Sequence, residues 1–422
     1  MVNILPTNVI LGAGIAGISA AFHMKQKSIS SVIYEKDNDW GGLCGSFTIN
    51  GFRFDRFVHF SFASNPITAN IFKNSSSMYS HPAVSYNYWK GYWIKHPAQN
   101  NLFSLPSDEK VKIIESFIDR PIKNVEEIKD YGEWLNVQYG KYFAEHFPYL
   151  YTRKYWGREA YQLETKWVGS RMYSPNISEV LLGAFESQEK NFYYTNFMNY
   201  PKKGGFRSIL NTCREGLNIK FNKKVTSIDT TIKTIEFADG SYEKYENIIS
   251  SLPLPEMVKI VKNCPSEVKG AAEKLHWTCG YQVSLGFKRS DVAKHLWFYI
   301  YDEDIFSSRV YSPNLKSSDN VPSGCSSLQA EVFFSDDSNI LSSEIVLKNT
   351  VEKLKRICNF TEEDIAVKDI RFERYANIIF TPEIYEARAL IQSWLNDLNI
   401  KVIGRFGKWD YLWSHQAFDS AI

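Results

Sequence analysis

Residues 7–17 read Thr7-Asn8-Val9-Ile10-Leu11-Gly12-Ala13-Gly14-Ile15-Ala16-Gly17, an apolar run broken by G-x-G-x-x-G. Residues 7–11 predict a buried parallel strand, the glycines a turn, and Ile15 to about Met24 a helix. Each glycine then has a task. Gly12 makes the tight turn, Gly14 lets the backbone approach a pyrophosphate, and Gly17 lets the helix pack closely on the strand. The helix N-terminus, with Ile15 and Ala16 in its first turn, faces the negative charge. Residues 31–35 (SVIYE) are a second apolar strand. Glu35 at its end, followed by Lys36, stands where a carboxylate can bind ribose hydroxyls. Alone, the glycine pattern is weak and could be a packing turn. Between strand and helix, with the acid downstream, it reads as a dinucleotide site.

The rest of the chain bounds what that site can serve. At 422 residues it suits two or three domains. Hydrophobic residues are 44% and charged residues 23%, an ordinary globular profile. Lys and Arg number 49 against 47 Asp and Glu, for a net charge of +2. That balance argues against nucleic acid as a partner and makes any anion site local. The six cysteines are scattered without a C-x-x-C pair, so no metal site is expected, and a reduced, cytoplasmic setting fits. The stretch from Val9 to Phe22 contains glycines, lacks a basic leader and is too short to span a bilayer, so no stable membrane insertion is expected. Many aromatic residues fall between Tyr79 and Tyr161, which fits either large packed cores or aromatic-lined pockets.

Outward from the opening unit, Tyr86 to Phe103 read as short aromatic strands of an antiparallel sheet. Residues 108–118 show helical spacing of Val111, Ile114, Phe117 and Ile118 behind a Ser107 cap. Helical patterns continue through Tyr131–Phe147 and Ile177–Phe185. Residues 217–251 return to strands, with Asp239-Gly240 as a hairpin turn and a run ending at Pro253. Residues 278–375 alternate strands and loops, and Lys401 to Gly404 form a last strand. The expected fold is α/β: a discontinuous Rossmann-like domain from residues 1–65, 196–255 and 395–422. A helical substrate domain (108–195) and an antiparallel sheet domain (66–107 and 256–394) are inserted into it.

A second glycine loop, Asp39-Trp40-Gly41-Gly42-Leu43-Cys44-Gly45-Ser46, follows Glu35 closely, and its adjacent glycines let the backbone pass near another flat or anionic group. Together, E-K-x-x-x-x-G-G-L and the following G-F-x-F-D resemble the FAD-binding opening of the amine oxidase, protoporphyrinogen oxidase and UDP-galactopyranose mutase superfamily. Tyr200-Pro201-Lys202-Lys203-Gly204-Gly205-Phe206 resembles the superfamily's segment leading to a strand, here containing Val225, near the adenine. The resemblance implies FAD held by Gly12, Gly14, Ile15, Ala16, Gly17, Glu35, Lys36, Gly41, Gly42, Leu43 and Val225, with Gly404-Arg405-Phe406-Gly407 closing over the flavin.

Further stretches resemble UDP-galactopyranose mutases more than the oxidases. Asp55 to Phe62 is similar to a segment lying against the flavin, which implies Val58 and His59 at the cofactor and Phe62 at the substrate. Tyr151 to Gly157 resembles a loop whose Trp, here Trp156, lies in the nucleotide-sugar cleft. Trp167-Val168-Gly169-Ser170-Arg171 resembles a segment whose Arg grips the substrate diphosphate. Tyr299, ten residues before Arg309, resembles the segment supplying a second diphosphate Arg. The ending Gly404-Arg405-Phe406-Gly407-Lys408-Trp409-Asp410-Tyr411, with Gln416 beyond, resembles one in which Arg and Gln hold FAD and Tyr touches the phosphates. Two guanidiniums from separate segments can clamp a diphosphate through charge-assisted bonds.

The implied activity is an FAD-dependent UDP-sugar pyranose/furanose mutase, acting with reduced flavin whose N5 attacks the anomeric carbon. Arg171 and Arg309 then serve the catalysis, and His59 positions the flavin. A UDP-sugar and a reductant such as NAD(P)H are the implied partners; homo-oligomerisation stays open. The sequence departs from the pattern at His415, where the family has Asn, at Val58, and at Asn377, where a second phosphate-contacting Tyr is usual and Tyr375 is close by. The sugar therefore stays open among galactose, N-acetylated and 6-deoxy hexoses. Two alternatives remain: an FAD oxidase or dehydrogenase, and a non-catalytic flavoprotein that binds nucleotide sugars.

Overall fold

A computed structural model describes residues 8–192 and 195–422. Thr7 of the expected first strand, the first seven residues of the expected 1–65 segment, and Tyr193 and Tyr194 of the expected helical segment lie outside the described residues.

The opening unit nucleates a five-stranded parallel sheet. Its order is Ile400–Val402, Asn247–Ser250, Asn8–Leu11, Val32–Tyr34, Ile219–Lys220. Val9, Ile10 and Leu11 have no solvent exposure, because a central parallel strand is covered on both faces. The helix Ile15–Gln26 packs on the sheet at a separation that only glycine permits. A Cβ at Gly17 would stand 1.9 Å from Gly12 O. The Asp239-Gly240 turn closes a separate three-stranded ribbon, Val225–Asp229, Thr234–Phe237 and Tyr242–Lys244, with Gly240 at φ +81°.

The second layer is a seven-stranded sheet. Its order is Ile365–Ile379, His276–Phe287, Ser326–Ser335, Arg309–Tyr311, Trp297–Ile300, Tyr86–Trp89, Tyr92–Lys95. Neighbours are antiparallel except Trp297–Ile300 beside Tyr86–Trp89, which are parallel. Residues 66–82 differ from the expected sheet segment. Pro66–Ser75 is a helix capped by the Asn65 side chain, packed against residues 206–214 and the terminal helix Ser414–Asp419. Met78–Pro82 pairs with Phe197–Pro201 in a ribbon of its own.

Helices Ser107–Ile118, Tyr131–Tyr139, Lys141–His146, Pro148–Trp156 and Ile177–Phe185 form the third layer. Ser107 is not the cap expected: Pro106 occupies that position, its carbonyl accepting from Lys110 N at 3.1 Å, so the helix begins one residue earlier. Pro148–Trp156 lies across the strand Ser326–Ser335. It ends at Gly157 (φ +61°), where a Cβ would be 2.6 Å from Ser335 N. This close approach sets one wall of the cavity described next. No helix among the described residues is long and apolar enough to cross a membrane.

Candidate active site

The glycine loops come together as a cradle. Gly41 N donates to Ala13 O at 2.8 Å, and Gly14 and Gly41 form a parallel bridge. A Cβ on Gly14 would meet only Gly42 Cα, at 4.0 Å, so the space between the loops is open. The helix beginning at Ile15 has no side-chain cap, leaving its first amides for an anion. Glu35, 8% exposed, accepts from Ala13 N (2.7 Å) and Asp37 N (3.0 Å) and thereby fixes the turn beside that opening. Lys36 points outward, 3.4 Å from Asp37. Val225 opens the neighbouring ribbon. Just before it, Lys223 N and Asn222 N donate to Glu35 O and Asp37 O, which brings that ribbon against the end of the second strand. These groups suit the pyrophosphate and ribose of a dinucleotide cofactor.

Beyond the cradle lies a cavity of about 360 Å³. It gathers Leu43, Val58, His59, Phe62, Trp156, Trp167, Arg171, Tyr299, Arg309, Asn377, Arg405 and Tyr411, residues spread over nearly the whole sequence. Three guanidiniums line it, and no carboxylate is among its lining residues.

Each guanidinium is held differently. Arg171 donates to Trp167 O at 2.7 Å and Tyr411 O at 3.0 Å and stacks over the Tyr411 ring at 4.5 Å; its Nε is buried without a partner. Arg405 donates to Asn377 Oδ1 at 3.0 Å, lies 4.8 Å from the Tyr411 ring and also has an unpartnered buried Nε. Buried N–H donors left unpaired are costly, so each guanidinium keeps donor capacity beyond the bonds just named. Arg309 is paired instead: Nε and NH2 lie 2.8 and 2.6 Å from Glu331 Oε2. Burial opposes the Arg309 charge, but the Glu331 carboxylate and nearby tyrosines hold its pKa above the ordinary value.

Glu331 was not expected from the sequence. It has no solvent exposure, and its Oε1 accepts from Val58 N at 2.9 Å while Oε2 takes Arg309. Its neighbours on the sheet act alike: Gln282 Oε1 accepts from Phe57 N at 2.5 Å, and Gln329 Nε2 donates to Asp55 O at 3.0 Å. Segment 55–58 is thus fastened to the seven-stranded sheet by three side chains instead of a backbone ladder. That fastening holds Phe57 in the left-handed region at φ +63°, a strained conformation that persists only when its surroundings enforce it. Gln329 and Glu331, alternating within the otherwise apolar run Leu328–Phe334, were the available signal. His59, next along, stacks on Phe206 at 4.8 Å and has Nδ1 3.2 Å from Phe57 O. Burial pushes its pKa down to about 4, so the ring is neutral at pH 7.

Other cavity residues went unnoticed in the sequence. Tyr155 donates to Asn377 Oδ1 at 3.2 Å, Tyr151 stacks on Tyr155, and Trp413 lies 5.6 Å from Phe62. Burial raises the Tyr151 and Tyr155 pKa values, keeping both phenols protonated. Tyr375 is outside the lining, its hydroxyl 2.6 Å from Glu256. Gly404 approaches the first helix, where its Cβ would be 2.8 Å from Ala16 Cβ. Gln416 is placed elsewhere: it is exposed, and its Oε1 accepts from Trp413 N at 2.9 Å, so it caps the last helix and does not line the cavity. No cluster of potential metal ligands occurs among the described residues.

A family model for flavin containing amine oxidoreductases matches residues 15–404. The chain belongs to that family. Membership implies a flavin cofactor, FAD, and the cradle fits its dinucleotide part. Among solved structures, reduced UDP-galactopyranose mutase is similar at a TM-score of 0.90, with 22% identity over 98% of this chain and 93% of that one. A putative protoporphyrinogen oxidase from Exiguobacterium sp. 255-15 follows at 0.75, with 16% identity over 98% and 96%. Putrescine oxidase bound to putrescine reaches 0.65, with 14% identity over 99% and 97%. At such identities these likenesses establish a common fold; the chemistry has to be argued from side chains.

Proposed function

We propose that the protein is an FAD-dependent mutase that interconverts the pyranose and furanose forms of a UDP-sugar, working with FAD in its reduced state. One observation carries the reading: three guanidiniums from distant segments line one cavity whose lining residues include no carboxylate. Such a site favours a multiply charged anion, and a diphosphate satisfies several donors at once. The high structural similarity to a UDP-galactopyranose mutase is consistent with it.

In this reading Gly12, Gly14, Ile15, Ala16, Gly17, Glu35, Gly41 and Gly42 hold the dinucleotide. Leu43, Val58, His59 and Arg405 flank the flavin. When bound and reduced, FAD supplies a nucleophilic nitrogen for the sugar's anomeric carbon. Arg171 and Arg309 bind the diphosphate and stabilise the charge it gains as the glycosidic bond breaks. Trp156, Trp167, Tyr299 and Tyr411 orient the nucleotide sugar with their faces and hydroxyls. The neutral His59 supports the flavin without taking a proton. An NAD(P)H-type donor would provide the reducing equivalents.

An amine oxidase reading fits these residues poorly, since an ammonium substrate would face Arg171 and Arg405 without a lining carboxylate, while Glu331 behind the wall balances only Arg309. Oxidation of a donor that carries carboxylates, and binding of a nucleotide sugar without catalysis, are the alternatives. UDP titration tests the choice of ligand. Tryptophan fluorescence of the holoprotein should report saturable UDP binding, weakened about 10-fold or more in Arg171→Met and in Arg309→Met, as expected for one lost charge-assisted bond of about 1.5–3 kcal/mol. Unchanged binding in both variants would refute the assignment.

A further inference from the structure

Lys316 is a lysine without solvent exposure. It ends the short helix Pro313–Lys316, which follows the Arg309–Tyr311 strand. Its Nζ lies 3.3 Å from Asp55 Oδ2 and faces three rings, with centroids at 4.3 Å (Tyr311), 5.1 Å (Tyr200) and 5.4 Å (Phe60). Asp55 is fully engaged. Oδ2 also accepts from Tyr200 OH at 2.7 Å, and Oδ1 accepts from Phe206 N and Ser46 Oγ, both at 2.9 Å.

Desolvation offsets most of the Coulombic gain of a buried ion pair, so stability alone is a poor reason for this one. Its neighbours supply another. Phe206, whose amide Asp55 fixes, is the ring on which His59 stacks at an interplanar angle of 24°. Phe60, the residue after His59, lies over the ammonium. The pair therefore holds Phe206, on which the imidazole stacks, and Phe60, its neighbour in the chain.

We infer that Lys316 and Asp55 form a positioning pair for His59, which seats the ring against Phe206 and keeps an ammonium and a carboxylate together beside that seat. The charged groups acting on the ring are Asp55, Lys316 and Arg405. Burial is the main reason the ring stays neutral; Lys316 and Arg405 reinforce it, and Asp55 opposes it. Without the ammonium, the Asp55 charge would act on the imidazole unopposed by its partner. Without both charges, burial alone would again keep the ring neutral. The inference rests on the proposed function only in setting His59 beside the cofactor, and its test needs no sugar.

The test is a ¹⁵N-histidine NMR titration of the oxidised holoprotein from pH 5 to 8. In the wild type His59 should stay neutral throughout. In Lys316→Met its proton affinity should rise about 10-fold or more, equivalent to one pH unit, so that about half of the ring or more is protonated at pH 5. In Asp55→Asn/Lys316→Met it should again stay neutral. If Lys316→Met yields no folded holoprotein, Lys316→Gln removes the charge while leaving a donor for Asp55. A His59 titration unchanged in the single variant, with near-UV dichroism and FAD content intact, overturns the inference. So does a double variant as shifted as the single one, because a purely structural role predicts no charge-balanced rescue.

Discussion

Replacing Gly17 with alanine tests whether the opening turn is built for a cofactor. The added Cβ would lie 1.9 Å from Gly12 O, whereas real contacts stay above 3.0 Å, so helix or turn must give by at least about 1.1 Å. The turn has little freedom to do so. Gly12 N is tied to Tyr34 O at 2.9 Å, Ala13 N to Glu35 at 2.7 Å, and Ala13 O to Gly41 N at 2.8 Å. Overpacking of this kind costs about 1–3 kcal/mol. If that cost falls on the binding-competent turn, FAD affinity drops about 5- to 150-fold. Gly14→Ala is the matched control: its Cβ meets nothing nearer than 4.0 Å, so the apoprotein should keep its stability while the methyl group enters the cradle. Flavin fluorescence during reconstitution of apoprotein gives the affinities, and urea unfolding gives the stabilities. Gly17→Ala should lose both, and Gly14→Ala only affinity. A Gly17→Ala protein that binds FAD as tightly as the wild type would refute the argument.

Two other perturbations have worked signs. Glu331→Gln removes the carboxylate that balances Arg309 but keeps an acceptor, so the holoprotein should lose about 3 kcal/mol, the low end for breaking a buried pair; an unmoved urea midpoint would contradict this. His59 and His96 have pKa values lowered by burial to about 4 and about 3, below the unfolded value of 6.5. The unfolded chain therefore binds more protons in acid. Their contribution to stability is complete above pH 6.5 and declines as pH falls toward 4, by at most about 1.4 kcal/mol per pH unit for each histidine. Urea midpoints between pH 4 and 7 should show that decline, absent from the His59 share in His59→Gln.

What the sequence revealed follows the range of the interactions involved. The strand, turn and helix at residues 8–26 depend on neighbours, and the second strand and Glu35 follow within the same local unit. Arg171, Arg309, Trp156 and Tyr411 were legible as family motifs, and they line one cavity. Long-range partners were not legible. Glu331 gains its role only when Val58 and Arg309 meet it from different segments. Asn377 and Tyr375 differ because the strand Ile365–Ile379 changes register against its neighbour between Thr278 and Gly280. That irregularity turns Tyr375 toward Glu256, and simple alternation could not foresee it. The family resemblance implies Gln416 as a cofactor ligand; in this terminal helix its side chain reaches the Trp413 amide.

A mutase would carry out a redox-neutral rearrangement that needs reduced flavin, and incubation of the dithionite-reduced holoprotein with UDP-galactopyranose and with UDP-galactofuranose under anaerobic conditions separates it from an oxidase. Chromatography should show each sugar nucleotide converting to the other with the reduced protein, neither with the oxidised protein, and no net flavin oxidation per turnover. Unchanged sugar nucleotides with the reduced protein, alongside O2 consumption on a different electron donor, would contradict the account and return the chain to the oxidases of its family.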